Sequence, residues 1–177
     1  MYHLKGLMKE GLVEKHETSY RLSEKGLTYV SRQSLKTQKT REQPQILVAL
    51  VAKNAAGEYL FYKWDRQPNL GKVSLPHGML HMGESIQNAA KRELEEKVGL
   101  VAPLHYLGNT FVLTPETHRL VVLFQMELTS EVPSAACFWA KPDSLHPEDI
   151  VPGFKELTDY LATHKETHIT SEIVTTN

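Results

Sequence analysis

Three charged side chains near the middle of the chain have the spacing of a shared helix face. Glu93, Glu96 and Lys97 lie in the segment RELEEKVGL, residues 92–100, at positions i, i+3 and i+4. Because an α-helix has about 3.6 residues per turn, side chains with this spacing project from one side. Two carboxylates on one face can bind a divalent cation through their oxygens. The ammonium of Lys97 opposes such a cation, so its position decides what this cluster can bind.

The residues around this cluster have a longer pattern of fixed spacing. In segment 78–100, GMLHMGESIQNAAKRELEEKVGL, Gly78 is followed after five residues by Glu84, and after seven more by Arg92 and Glu93. This segment resembles the Nudix box, a loop–helix–loop with the pattern G-x5-E-x7-R-E-U-x-E-E-x-G-U, where U is aliphatic. Every fixed position matches except the second glutamate of the E-E pair.

The resemblance to the Nudix family implies hydrolysis of a diphosphate linkage in a nucleoside diphosphate derivative, with Mg²⁺ or Mn²⁺. It implies that Glu93 and Glu96 bind the metal, and that Arg92 holds the carboxylates by charge-assisted hydrogen bonds with Glu84 nearby. These four are the candidate catalytic residues. Cations held by carboxylates neutralise a diphosphate and lower the pKa of bound water. The alternative is an exposed acidic helix face without a chemical role.

Lys97 stands where the family pattern has a metal-binding glutamate. At about 5 Å and an effective dielectric of about 20, each unit-charge interaction is worth roughly 3 kcal/mol. An inward ammonium would therefore weaken metal binding. Two alternatives stay open, since the side chain could swing to solvent and pair with Glu93, or contact a substrate phosphate. Lys97, Gly78 and His77 are the candidate substrate-binding residues.

Two classes of function follow. The first is a metal-dependent Nudix pyrophosphohydrolase with a weakened metal site. The second is a non-catalytic ligand sensor, in which a degenerate Nudix domain binds a nucleotide derivative and regulates DNA binding by another part of the chain. The intact Arg92, Glu93 and Glu96 favour the enzyme, whereas Lys97 and the basic N-terminal residues 1–41 favour the sensor.

The family resemblance also implies an α/β fold, an α/β/α sandwich around a mixed β-sheet. Residues 46–52 form a continuous apolar run bounded by turn residues, which predicts a buried strand. Residues 84–98 have one apolar face and predict a helix that ends at Gly99. Further strands are predicted at 59–64, 72–78, 105–113, 118–128 and 137–141, and a final helix at 152–164.

The N-terminal part of the chain differs in charge from the rest. Residues 1–41 hold nine Lys or Arg against four Glu, a net charge of +5, while residues 42–177 carry −6. The segment LMKEGLVEK…YRLSEKG predicts a helix, two short strands and a second helix. This order resembles the back half of a winged helix-turn-helix domain, which implies DNA as a partner through the basic segment. The same pattern is compatible with a solvated extension, docking on the main domain, a homodimer contact or a remnant of a longer protein.

Composition sets the remaining expectations. The single cysteine excludes an internal disulfide, and no apolar run approaches the roughly 20 residues of a membrane helix. We therefore expect a cytoplasmic protein without a membrane partner. The predicted divisions are a winged-helix-like α/β appendage at 1–33, a polar linker at 34–44, a Nudix domain at 45–165 and a tail at 166–177.

Overall fold

A computed structural model gives the fold as two compact units, Met1–Gln43 and Pro44–Asn177. The structure describes residues 2–34, 36–37, 39–115, 117–128, 132–163 and 169–174. Two positions of the predicted linker, 35 and 38, lie outside the described residues. The same holds for 164–168 and 175–177, which include half of the predicted tail.

The first unit has the predicted order of a helix, a hairpin and a helix. Its elements are α1 (Tyr2–Lys9), β1 (Val13–His16), β2 (Ser19–Leu22) and α2 (Glu24–Ser31), with β1 and β2 antiparallel. The hydroxyl of Ser23 caps α2 by accepting a hydrogen bond from the backbone N–H of Gly26 at 3.0 Å. Gly26 packs against the backbone of Leu12, where a Cβ would overlap the carbonyl group. Backbone packing and a cap thus join α2 to the hairpin.

The second unit contains eight strands in the described part of the chain, and two α-helices. Its elements are β3 (Gln45–Val51), β4 (Tyr59–Lys63), β5 (Val73–Ser74), β6 (His77–Met79), α3 (Ile86–Glu93), a π-helical turn (Leu94–Val98), β7 (Leu104–Leu113), β8 (His118–Met126), β9 (Cys137–Ala140), 3₁₀ turns at Pro142–Ser144 and Pro147–Asp149, α4 (Phe154–Thr163) and β10 (Ile169–Val174).

The strands of this unit form a mixed sheet of five strands and a smaller sheet of three. The larger sheet has the order β10-β7-β8-β3-β6, with parallel pairing of β3 to β8 and of β10 to β7. The pairs β3–β6 and β7–β8 are antiparallel. The smaller sheet has the order β5-β4-β9 and is antiparallel throughout.

Strand β3 is buried on both faces because a helix covers each side of the sheet. Successive side chains of a strand point to opposite faces. Val48 and Leu50 join the core cluster that includes Leu94 of the box helix (residues 86–98, α3 with its π-helical turn). Leu47 and Ala49 join the cluster that includes three residues of α4: Phe154, Leu157 and Leu161. The predicted α/β/α sandwich around a mixed sheet is thereby confirmed.

The box helix ends at Gly99 as predicted, but it differs from the sequence prediction at its start and in its last turn. It begins at Ile86 rather than at residue 84, because the Ser85 hydroxyl caps it by accepting from the N–H of Asn88 at 3.2 Å. After Glu93 the backbone widens into the π-helical turn, and the N–H of Gly99 donates to the carbonyls of Leu94 and Glu95. Such turns frequently occur at functional sites.

The C-terminal segment 169–174 forms β10 and pairs with β7 at the edge of the larger sheet. The sequence prediction assigned no element to this part. Long-range pairing supplies the reason, since the backbone of β7 offers hydrogen-bond partners that local sequence cannot reveal. No helix in the described ranges has the length and apolar character needed to cross a membrane.

Candidate functional site

A cleft of about 640 Å³ lies beside the C-terminal end of the box helix. It brings together six of the seven residues singled out from the sequence, and its walls also come from β3, β8 and the segment 66–69. Glu84 lies outside this lining and acts on it through Arg92. The six are His77, Gly78, Arg92, Glu93, Glu96 and Lys97.

Arg92 connects the loop that precedes the helix to the acidic residues of the helix itself. Its Nε and Nη2 donate to the two carboxylate oxygens of Glu84 at 2.9 and 3.0 Å. Nη2 also donates to the carbonyl of Met79 at 3.0 Å, and Nη1 donates to Oε1 of Glu93. Nη1 lies 3.6 Å from Oε2 of Glu96. The planar guanidinium therefore sets the positions of three carboxylates at once.

Glu84 is ionised over the whole physiological pH range. The hydrogen bonds from Arg92 lower the pKa of its carboxyl to about 2, helped by the backbone N–H of His81, which donates to Oε2 at 3.1 Å. The pKa of the Arg92 guanidinium is raised, chiefly by the same hydrogen bonds with Glu84. The ion pair of Arg92 and Glu84 therefore stays charged and holds the Arg92 side chain in position at the cleft.

Glu93 has one buried carboxylate oxygen without a hydrogen-bond partner in the part of the chain that the structure describes. Its side chain is buried, with 3% of the residue exposed, and it lines the cleft. Oε1 accepts from Arg92, but Oε2 has no hydrogen-bond partner among the described residues. A buried carboxylate oxygen without a donor is costly unless something else binds it. Oε2 is thus a strong acceptor available to a cation or a donor from a ligand.

Glu96 differs from Glu93 in its exposure. Its side chain is 52% exposed, and its contact with Arg92 is longer than the others that the guanidinium makes. The side chain lines the cleft from its open side. Glu96 can therefore contribute a second carboxylate, while Glu93 supplies the buried one.

Lys97 points into the fold and not toward bulk solvent. Only 4% of the residue is exposed, and Nζ lies 5.1 Å from the ring centre of Tyr62 and 4.8 Å from that of Trp64. The alternative in which Lys97 swings to solvent and pairs with Glu93 is wrong. Two aromatic rings instead attract the ammonium through cation–π interactions, which hold it at the cleft.

His77 is a buried, uncharged residue of the cleft wall. Its Nδ1 lies 3.1 Å from Oγ of Ser74 and 3.0 Å from the carbonyl of Leu75, and its ring stacks on Phe154 with centroids 4.3 Å apart. Burial lowers its pKa to about 4, with smaller contributions from the charges of Arg119 and Lys97. A neutral imidazole therefore faces any ligand at pH 7.

The residues present fit one divalent cation better than several. Oε2 of Glu93 lies against Gly78 and has no hydrogen-bond partner among the described residues, so it can accept such a cation. Glu96 lines the same cleft. In the described part of the chain, no group of three or more His, Cys, Asp or Glu could hold a metal ion. Mg²⁺ commonly binds through one or two carboxylates, completed by water and substrate phosphates. The site therefore suits a cation whose remaining ligands are water and the phosphates of a bound substrate.

The sequence analysis did not predict that two aromatic rings contact the ammonium of Lys97, or that two arginines form a basic wall of the cleft. Tyr62 and Trp64 alternate along β4 and its extension, so the period of a strand would have placed them on one face. Arg66 and Arg119 also line the cleft. Arg119 follows a turn at the start of β8, and only the parallel pairing of β8 with β3 brings it near the box.

The sequence model of the NUDIX domain matches residues 43–161. No match was found among curated protein sequences. The matched range contains the whole cleft described above and both core clusters.

Solved structures share the fold at low sequence identity. A NUDIX hydrolase from Nitrosomonas europaea is 15% identical with a TM-score of 0.54, over 92% of this chain and 93% of its own. A MutT protein from Methanosarcina mazei Go1 is 20% identical with a TM-score of 0.56, over 71% and 100%. A MutT NUDIX hydrolase from Burkholderia pseudomallei is 22% identical with a TM-score of 0.56, over 67% and 98%. The first match extends into residues 1–43, because the second unit alone cannot supply its coverage.

Proposed function

The chain belongs to the Nudix family, and from that premise we propose that it hydrolyses a diphosphate linkage in a nucleoside diphosphate derivative. Members of this family are generally hydrolases that use divalent cations. The observation that carries the proposal is the buried Oε2 of Glu93, which has no hydrogen-bond partner among the described residues and belongs to a side chain lining a cleft that arginines also line. An acceptor of this kind beside cationic side chains suits a cation and a polyanion together.

Glu93 and Glu96 would hold Mg²⁺ or Mn²⁺ in this proposal. The bound ion would neutralise charge on the diphosphate and lower the pKa of its water. Arg92 and Glu84 act as positioning residues, since their hydrogen bonds hold the Glu93 carboxylate in place. Their contribution is geometric, because an oxygen displaced by about 1 Å can lower a rate by about 10²-fold.

The basic wall would bind the phosphates of the substrate. Arg66 and Arg119 line the same cleft as the acidic end of the box helix. Guanidinium groups match phosphate oxygens in a bidentate geometry, which orients as well as attracts the anion. His77 stays neutral there and adds no charge to this wall.

A substrate screen with and without metal tests the proposal. Purified protein would be incubated with nucleotide sugars, ADP-ribose and dinucleoside polyphosphates, in Mg²⁺, in Mn²⁺ and in EDTA, and products separated by ion-exchange chromatography. We expect metal-dependent release of a nucleoside monophosphate from at least one class. Glu93→Gln should abolish it, and Glu95→Gln, at an exposed position outside the cleft lining, should leave it unchanged. Absence of hydrolysis in all three conditions would contradict the proposal.

A regulatory function is the second candidate. It is favoured by the ammonium of Lys97 in the acidic site and by the helix–hairpin–helix order of residues 2–31. In this case the second unit binds a nucleotide derivative without hydrolysing it, and the basic first unit binds DNA. Duplex binding that weakens steeply with salt would support it, since counterion release accompanies phosphate contacts. Light scattering on the same sample would test the predicted homodimer.

A further inference from the structure

The ammonium of Lys97 is held at the cleft by groups that leave its hydrogen-bond donors unused. Tyr62 and Trp64 contact it through their ring faces, and the indole N–H of Trp64 donates instead to Oγ of Ser74 at 2.9 Å. Among the described residues no protein hydrogen bond or ion pair involves Nζ, and Glu93 Oε2, not Nζ, is the side-chain atom sealed away without a partner, so the ammonium keeps access to the cleft. A lysine ammonium has three N–H donors, and a ring face satisfies them poorly.

Such a group offers its donors to an anion in the cleft. A largely buried charge is stabilised by an opposite charge, and ring faces replace that charge only in part. The carboxylate of Glu93 lines the same cleft but forms its ion pair with Arg92. Arg66 and Arg119 add positive charge to the lining. A ligand that brings negative charge into the cleft would therefore pair with the ammonium of Lys97.

We propose that Nζ of Lys97 binds an oxygen of a diphosphate and lets this protein bind that group without a divalent cation. The identity of the anion rests on the proposed function, whereas the need for an anion rests on the geometry of Lys97. A lysine at this position supplies the positive charge that a metal ion would otherwise bring with its carboxylate. When a divalent cation is also present, Glu93 would bind the cation and the ammonium of Lys97 would bind the phosphate.

The test measures binding in the absence of metal and of turnover. Methylenediphosphonate, a diphosphate with a CH₂ bridge that resists hydrolysis, would be titrated calorimetrically into the protein in EDTA. We expect measurable binding to the unaltered protein and a loss of about ten- to a hundredfold in Lys97→Met, the range expected for one hydrogen bond to a charged group. Lys91→Met is the matched control, because Lys91 is an exposed lysine of the same helix outside the cleft lining.

Two further variants keep the test decisive. Lys97→Arg retains the charge and should retain metal-free binding even where Lys97→Met is too unstable to assay. Lys97→Glu should bind the probe only when Mg²⁺ is present, because a third carboxylate then joins Glu93 and Glu96. Equal metal-free affinity of the unaltered protein and a folded Lys97→Met variant would overturn the inference, as would no metal-free binding at all.

Failure of this inference can be told apart from failure of the proposed function. Metal-dependent hydrolysis without metal-free binding of the probe would retain the hydrolase and remove the role of Lys97. Metal-free binding that depends on Lys97, together with no hydrolysis of any substrate class, would retain the role of Lys97 and remove the hydrolase.

Discussion

The carboxylate of Glu93 lies directly against the backbone of Gly78, so closely that a Cβ at residue 78 would overlap it. Gly78 belongs to β6, which pairs with β3, and its backbone therefore cannot move away without breaking the sheet. The first glycine of the box is required by this close approach and not by an unusual backbone angle. Gly78 thereby positions Oε2 of Glu93, a buried carboxylate oxygen that lacks a hydrogen-bond partner among the described residues.

Gly78→Ala should displace the Glu93 carboxylate and disable the site. We expect a loss of stability of about 1–3 kcal/mol from overpacking and a fall in turnover of about 10²-fold from misplacement of the oxygen. Urea denaturation and steady-state kinetics measure the two effects. Gly6→Ala is the control, because nothing lies within 4 Å of an added Cβ there. Normal activity in Gly78→Ala would show that Glu93 can shift without consequence.

Glu93→Gln should remove the response of the protein to divalent cations. In the unaltered protein, Mg²⁺ at about 100 times its Kd should stabilise the fold by about 2.7 kcal/mol through linkage, visible as a higher Tm. The amide keeps the shape of the carboxylate but not its charge, so the rise should vanish. Glu95→Gln, on the same helix but exposed, should keep it. An undiminished rise in Glu93→Gln would place the cation elsewhere.

Arg92→Lys tests whether the site requires the planar guanidinium of Arg92 or only its positive charge. Lysine retains the positive charge but cannot donate in parallel to both oxygens of Glu84 while also reaching Met79 and Glu93. We expect turnover to fall by about 10²-fold with a smaller change in KM, because the loss is one of position. Arg21→Lys serves as the control, since its ion pair with Glu14 is exposed and contributes little. Unchanged turnover in Arg92→Lys would mean that charge alone suffices at this position.

The buried His77 should make stability depend on pH. Its pKa is about 4 in the folded protein and near 6.5 when unfolded, so between these values the unfolded chain binds the proton first. The free energy of unfolding should therefore fall as pH drops, on the order of 2 kcal/mol between pH 6.5 and 5 from this group. His77→Gln should flatten this part of the curve measured by urea denaturation, while the exposed His81→Gln should not. Identical slopes in all three proteins would contradict the prediction.

Local sequence was enough to predict most of the elements and the family. The apolar run at 46–52, the Ser23 cap and the spacing of the box all act over a few residues, within the reach of propensity and periodicity. The helix of residues 84–98 was predicted as one regular element, yet its last turn is π-helical. The strand β10 was not predicted, because its pairing with β7 depends on residues about 60 positions away.

The sequence showed the spacing of Glu93, Glu96 and Lys97, but it did not show that the three side chains differ in burial. Helical periodicity alone places all three on one side, and it says nothing about what stands opposite each side chain. In the folded protein Glu93 is buried against β6, Glu96 reaches solvent, and Lys97 is enclosed by rings from β4 and its extension. The sequence thus determined which groups are present at the site. Tertiary packing alone decided which of them are desolvated, because burial depends on strands that are distant along the chain.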